Sequence, residues 1–127
     1  MKIHGIGVDI VKIGRIKKSL NNTKFKTRIF SIEEVNRCKK NVKQENCFAK
    51  KFAAKEAFSK ALGTGFRDQL NFKNIEIKND KLGKPYISKN ITLNKLIKKK
   101  FKINKYNIFL SISDEKNYAV ANVIITK

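Results

Sequence analysis

Long apolar runs are missing from the 127 residues, and the chain passes from Met1 straight into a short alternating segment. Neither a membrane span nor a signal peptide is expected, and the protein is placed in the cytoplasm. Cysteine occurs only at Cys38 and Cys47, too few for a disulfide framework or a zinc cluster, so free thiols are expected. Histidine occurs once, at His4, with no partner in sequence and no assigned role. Acidic residues number 10 against 30 basic ones, and the resulting charge of +20 would draw the protein toward phosphates or an acidic protein partner. Arginine is scarce: four of the 30 basic residues are Arg and 26 are Lys, with Asn and Ile also plentiful. This pattern suits a drift toward A/T-rich codons, which would make part of the charge incidental. A dedicated reader of nucleic acid more often uses Arg for bidentate base contacts and aromatics for stacking, and neither is concentrated here. No specific nucleic acid is therefore expected, although a small basic nucleic-acid-binding domain stays open as the alternative class. The length fits one domain over 1–127, with a core of its own and nothing that reads as a linker.

What is present centres on one stretch. Phe48 to Gly65 is the longest run of good helix formers, contains no Pro, and ends on Gly63 and Gly65 where a left-handed C-cap is wanted. A helix ending near Leu62 follows. Phe48, Ala49, Phe52 and Ala53 cover one arc of it, and Ala54, Ala57, Phe58, Ala61 and Leu62 cover much of the rest, so it is buried on more than one side. Glu56 and Lys60 fall inside the first arc, one turn apart, and carry charge toward packed surface. They read either as an ion pair at the edge of the core or as part of a site.

Residues 3–10 alternate, with Ile6, Val8 and Ile10 on one face and Gly5, Gly7 and Asp9 on the other, which predicts a strand. Two glycines beside Asp9 leave room in which a ligand could approach the carboxylate. Ile13, Ile16 and Leu20 predict a short helix, Asn21-Asn22-Thr23 a turn, and Ser31 with Glu34 a capping box opening a helix to about Lys40. Past Gly65 the period changes to two: Phe72, Ile75 and Ile77 lead through Gly83-Lys84-Pro85 to Tyr86-Ile87, a hairpin with Lys84 at its tip. An amphipathic helix over 91–101 and a second hairpin, 106–113 with 118–125, complete an α+β chain, an antiparallel sheet packed against the long central helix. If Asp9 faces Glu56, two carboxylates with open space beside them suit Mg²⁺, which takes few protein ligands and keeps waters and phosphate oxygens. Lys60 would then lie beside the same phosphates as a movable cation.

Lys51-Phe-Ala-Ala-Lys-Glu-Ala-Phe-Ser-Lys-Ala-Leu-Gly-Thr-Gly65 resembles the signature of the 4′-phosphopantetheinyl transferases, specifically the short bacterial holo-acyl-carrier-protein synthases. Three further stretches match in order: Gly5-Ile-Gly-Val-Asp-Ile10, Ile75-Glu-Ile-Lys with Gly83-Lys-Pro-Tyr86, and Ser111-Ile-Ser-Asp with Tyr118-Ala-Val-Ala. The resemblance implies that fold and the transfer of phosphopantetheine from coenzyme A to a serine of apo acyl carrier protein, for fatty acid biosynthesis. It implies Asp9 and Glu56 as metal ligands, Glu56 or a metal-held water as proton acceptor, and Lys60 as a phosphate contact and catalytic residue. It also implies Lys51, Ser59, Gly63, Gly65, Gly83, Lys84 and Pro85 as coenzyme contacts. Lys51 stands where the family usually has Arg, giving a point charge without the bidentate fork. Asp114 stands where many members carry His, and a carboxylate there is expected to turn from phosphate or bind another group. A homotrimer with sites between subunits is implied as well, with the acidic carrier docked near Arg15, Lys17, Lys18 and Arg28.

Overall fold

In the computed structural model, which describes residues 1–66 and 70–127, the elements run β1 (Ile3–Lys12), α1 (Ile13–Ser19), α2 (Thr23–Ile29), α3 (Ile32–Lys39) and α4 (Gln44–Leu62). After a 3₁₀ turn (Phe72–Asn74) come β2 (Ile77–Asn79), β3 (Pro85–Ile87), α5 (Ile91–Phe101), β4 (Asn107–Asp114) and β5 (Tyr118–Thr126). The expected single sheet is two: an antiparallel sheet in the order β1-β5-β4, and the separate β2-β3 hairpin. The short strands on either side of the Asp80–Gly83 turn are satisfied by each other, with Ile77 opposite Ile87.

The 19-residue α4 crosses the three-stranded sheet and is buried along most of its length, with Gln44 and Lys60 exposed and Glu45, Asn46, Lys50, Phe52 and Glu56 half-buried. Its closest approach to β1 is made at glycines. A Cβ on Gly7 would stand 1.9 Å from the Ala57 carbonyl oxygen, and one on Gly5 1.9 Å from that of Ala61. The space over Gly5 and Gly7, expected for a ligand, is thus filled by helix backbone. The glycines let strand and helix touch, which sets Asp9 beside α4 with no side chains between them.

The opposite face of the sheet is uncovered and largely apolar. Ile6, Val8 and Ile10 of β1 are 61%, 55% and 66% exposed, in register with Ile124, Asn122 and Val120 of β5. Phe109 of β4, 53% exposed, stands across from Ile124. The alternation expected in β1 is present, with the polar-looking glycine face packed inward and the aliphatic face turned out.

Between β1 and α4 the chain is helical more often than the sequence suggested. Asn22, read as part of a turn, N-caps α2 by accepting from Lys24 N–H, and Phe25 and Ile29 turn toward the core. The capping box of α3 is present, Ser31 and Glu34 each accepting from the other's backbone N–H. The expectation of free thiols is corrected. The short turn after α3 folds α4 back so that buried Cys38 and Cys47, with Cα atoms 5.5 Å apart, form a disulfide. Two cysteines nine residues apart carry no signal of facing until the turn between them is known.

Candidate active site

Lys60 Nζ donates to Asp9 Oδ1 at 3.0 Å and to the Val8 carbonyl oxygen at 3.1 Å, so the last full turn of α4 is tied to the middle of β1. Glu56, one turn earlier, opens into the same cavity of about 720 Å³, lined also by Arg15, Phe25, Phe52 and Tyr118. Its carboxyl is pushed above the usual carboxylate range, chiefly by burial and then by the negative charge of Asp9, with Lys60 opposing both. Asp9, Glu56 and Lys60, expected to meet if β1 faces α4, are one cluster. The i,i+4 pairing of Glu56 with Lys60 is replaced by a long-range pair, because β1 offers Lys60 both a carboxylate and a carbonyl.

The remaining expected residues divide. Gly63 caps α4 in the left-handed conformation, φ +83°, its N–H donating to the Ser59 carbonyl, and Gly65 is left-handed at φ +63° with open space around it. Ser59 is buried and its hydroxyl donates to the Glu56 carbonyl oxygen at 2.7 Å, so it lines neither this cavity nor the next. Lys51, Gly83 and Pro85 line a second cavity of about 310 Å³ together with Arg37, Lys50, Asn79 and Asp114. Lys84 is exposed at the hairpin turn, where Asp80 Oδ1 accepts from its N–H and from that of Leu82.

The second cavity carries three cations, Arg37 from the last turn of α3 and Lys50 and Lys51 from the first half of α4. Lys51 is 5% exposed, donates to the Ile77 carbonyl oxygen at 3.3 Å, and has its pKa lowered to about 8, first by burial, with Glu34 opposing. Asn79 Oδ1 is buried there without a partner while its amide donates to Gly83. Asp114 reaches the same wall but accepts from Asn46 Nδ2 at 2.9 Å, a local partner that occupies one carboxylate oxygen.

Sequence reasoning missed the polar knot beneath these cavities. Glu34, read only as a capping residue, is 1% exposed; its Oε1 accepts from Ser31 N–H and from Lys55 Nζ at 2.8 Å, and its Oε2 from Ile77 N–H. Lys55 donates also to the Phe72 carbonyl oxygen, and burial lowers its pKa against the pull of Glu34. A signal was available: Lys51 and Lys55 fall in the helical stripe of Phe48, Phe58 and Leu62, where a lysine can only sit if it finds an acceptor. The residue that answers it lies 21 positions away and cannot be paired by spacing.

A divalent cation fits the first cluster by its chemistry. Two carboxylates lie close enough for one to raise the other's pKa, and an ammonium already rests against Asp9. Among the described residues no group of three or more Asp, Glu, His or Cys could hold a metal, which leaves a hard cation completed by waters and substrate oxygens as the kind that suits the donors.

Known proteins similar to this chain point to one family. The family model of the 4′-phosphopantetheinyl transferase superfamily matches residues 5–123. A holo-[acyl-carrier-protein] synthase of Pelagibacter ubique (strain HTCC1062) is 57% identical over 127 residues, covering all of this chain and 99% of that protein. The crystal structure of holo-[acyl-carrier-protein] synthase from Neisseria meningitidis is 40% identical and superposes with a TM-score of 0.86, over 98% of this chain and 99% of that one. A holo-(acyl-carrier-protein) synthase from Bacillus anthracis, solved in complex with CoA (3′,5′-ADP), is 38% identical with a TM-score of 0.81, over 99% of this chain and 98% of that one. With a family match running from Gly5 in β1 to Val123 in β5, this chain belongs to the 4′-phosphopantetheinyl transferase superfamily.

Proposed function

We propose that this protein transfers the 4′-phosphopantetheine group of coenzyme A to a serine hydroxyl of apo acyl carrier protein, releasing adenosine 3′,5′-bisphosphate. The observation that carries the reading is the convergence of Asp9, Glu56 and Lys60 on one cavity through the glycine contact of β1 with α4. Asp9 and Glu56 would hold Mg²⁺, which when bound would withdraw charge from the pyrophosphate oxygens. Glu56, whose carboxyl burial makes readier to hold a proton, is placed to take the serine proton directly or through a water. The serine oxygen forms a bond to the phosphorus that bears pantetheine, the bond from that phosphorus to the bridging oxygen breaks, and the leaving bisphosphate carries the charge. Lys60 would neutralise that developing charge.

Lys51, Arg37 and Lys50 would grip the coenzyme's other phosphate in the second cavity, with Gly83 and Pro85 as its wall. These cations line a cavity separate from the one around Asp9. A homotrimer would bring one subunit's first cavity to another's second, and the apolar outer face of β1, β5 and β4 is the surface such an assembly would cover. Arg15, on the rim of the first cavity, and the exposed Lys17, Lys18 and Arg28 would receive the acidic carrier. Among the described residues no helix is long and apolar enough to cross a membrane, and we place the reaction in the cytoplasm, where its substrates would be dissolved.

The test is transfer by purified protein with coenzyme A, Mg²⁺ and apo carrier, run beside Asp9→Asn and Glu56→Gln. Each substitution is expected to lower the rate by about a hundredfold or more while leaving the circular dichroism spectrum unchanged. Transfer at the parent rate by either variant would contradict the reading.

A further inference from the structure

The Lys60 ammonium occupies one oxygen of the carboxylate that a cation bound by Asp9 would use. It sits 3.0 Å from Asp9 Oδ1 and 3.1 Å from the Val8 carbonyl oxygen, the two acceptors that β1 turns toward α4. The Asp9 side chain is 14% exposed and the Lys60 side chain 53%, so the carboxylate is fixed in the wall while the lysine reaches it from solvent along a free stem. No other cation pairs with Asp9 among the described residues.

We propose that Lys60 is an exchangeable plug of the metal site: it holds Asp9 in the free protein, a divalent cation displaces it, and the released ammonium turns to the substrate phosphates. This rests on the reading of Asp9 and Glu56 as metal ligands and adds an order to it. A metal held on Asp9 would stand close to the Lys60 ammonium on Oδ1, and repulsion between the two cations sets entry of the metal against retention of Lys60. Lys60 therefore opposes metal binding when no phosphate is present, and favours it once a phosphate offers the ammonium a new partner. The metal site would be held weak until coenzyme A arrives, which limits idle metal capture and couples the two ligands.

The experiment is a Mn²⁺ titration followed by electron paramagnetic resonance on the full chain, without and with coenzyme A, for the parent protein and for Lys60→Met, Lys60→Gln and Asp9→Asn. Without coenzyme A, both Lys60 variants are expected to bind Mn²⁺ about three- to tenfold more tightly than the parent, the range for loss of a part-exposed pair and of a neighbouring like charge. With coenzyme A the advantage is expected to vanish or reverse. Equal or weaker Mn²⁺ binding by both Lys60 variants without coenzyme A overturns the plug while leaving the metal site standing, provided Asp9→Asn weakens binding. Unchanged binding by Asp9→Asn overturns the metal reading and the plug together. The Lys60 side chain is more than half exposed, so loss of fold does not confuse the outcome.

Discussion

Lys51 shows how one buried charge answers to two opposite pH dependences. Its pKa in the folded chain is lowered to about 8 from 10.5 because burial penalises the ammonium more than Glu34 repays it. Between those two values the unfolded chain holds the extra proton, so the part of the stability that depends on Lys51 rises as pH climbs from about 8 to 10.5. Grip on a phosphate runs the other way, because the neutral amine no longer attracts it. Coenzyme A affinity is expected to fall about tenfold as pH rises through the Lys51 pKa, and Lys51→Arg is expected to flatten that fall because guanidinium stays charged. Isothermal titration across the pH range checks both. A parent protein whose affinity is level through pH 8 would remove Lys51 from the phosphate site.

At the scale of elements, α4 is held by two different kinds of contact, and they predict different mutational signatures. Along β1 the contact is backbone against glycine, where any side chain collides. Toward α3 and β2 it is the Glu34–Lys55 pair, which satisfies Ser31, Ile77 and Phe72 backbone groups at once. Lys55→Met alone leaves a buried carboxylate without its cation and is expected to cost about 3–5 kcal/mol, whereas Glu34→Leu combined with Lys55→Met removes both charges and is expected to recover part of that loss. Urea unfolding of Lys55→Met, of Glu34→Leu and of the double variant measures the difference. A double variant as unstable as the sum of the singles would show that the pair carries no mutual dependence.

The same elements show what could be read in advance. The C-terminal end of α4 with its glycine cap, the capping box of α3 and the alternation of β4 were legible because each depends on residues within a turn of one another, whereas α4 begins at Gln44, four residues before Phe48, where the run of helix formers opens. Asp9, Glu56 and Lys60 were named from sequence, and only packing could join β1 to a helix some fifty residues on. The partners of Lys55, the role of Gly7 as a helix contact and the Cys38–Cys47 bond were hidden for that reason. Helix α2 was hidden for another: Asn22 serves turns and N-caps equally well, and seven residues are too few to show a period.

The whole molecule presents one sheet face to its own helix and the other to its surroundings. Ile6, Val8, Ile10, Phe109 and Ile124 form an apolar patch in register across three strands, on a chain whose charge of +20 keeps most of its surface soluble. If three subunits assemble through that patch as proposed, Val8→Asp is expected to give a monomer in sedimentation velocity and to depress transfer with it, since each proposed shared site would lose the neighbouring subunit's cavity. A Val8→Asp protein that stays trimeric would move the interface elsewhere.

The central claim is group transfer at the Asp9–Glu56–Lys60 cluster, and the intact mass of the carrier tests it most directly. After incubation of apo acyl carrier protein with this protein, coenzyme A and Mg²⁺, the carrier is predicted to gain the mass of one phosphopantetheine group, with no gain when Asp9→Asn replaces the parent protein. A carrier of unchanged mass beside a folded enzyme, or the same gain with Asp9→Asn at the parent rate, would contradict it.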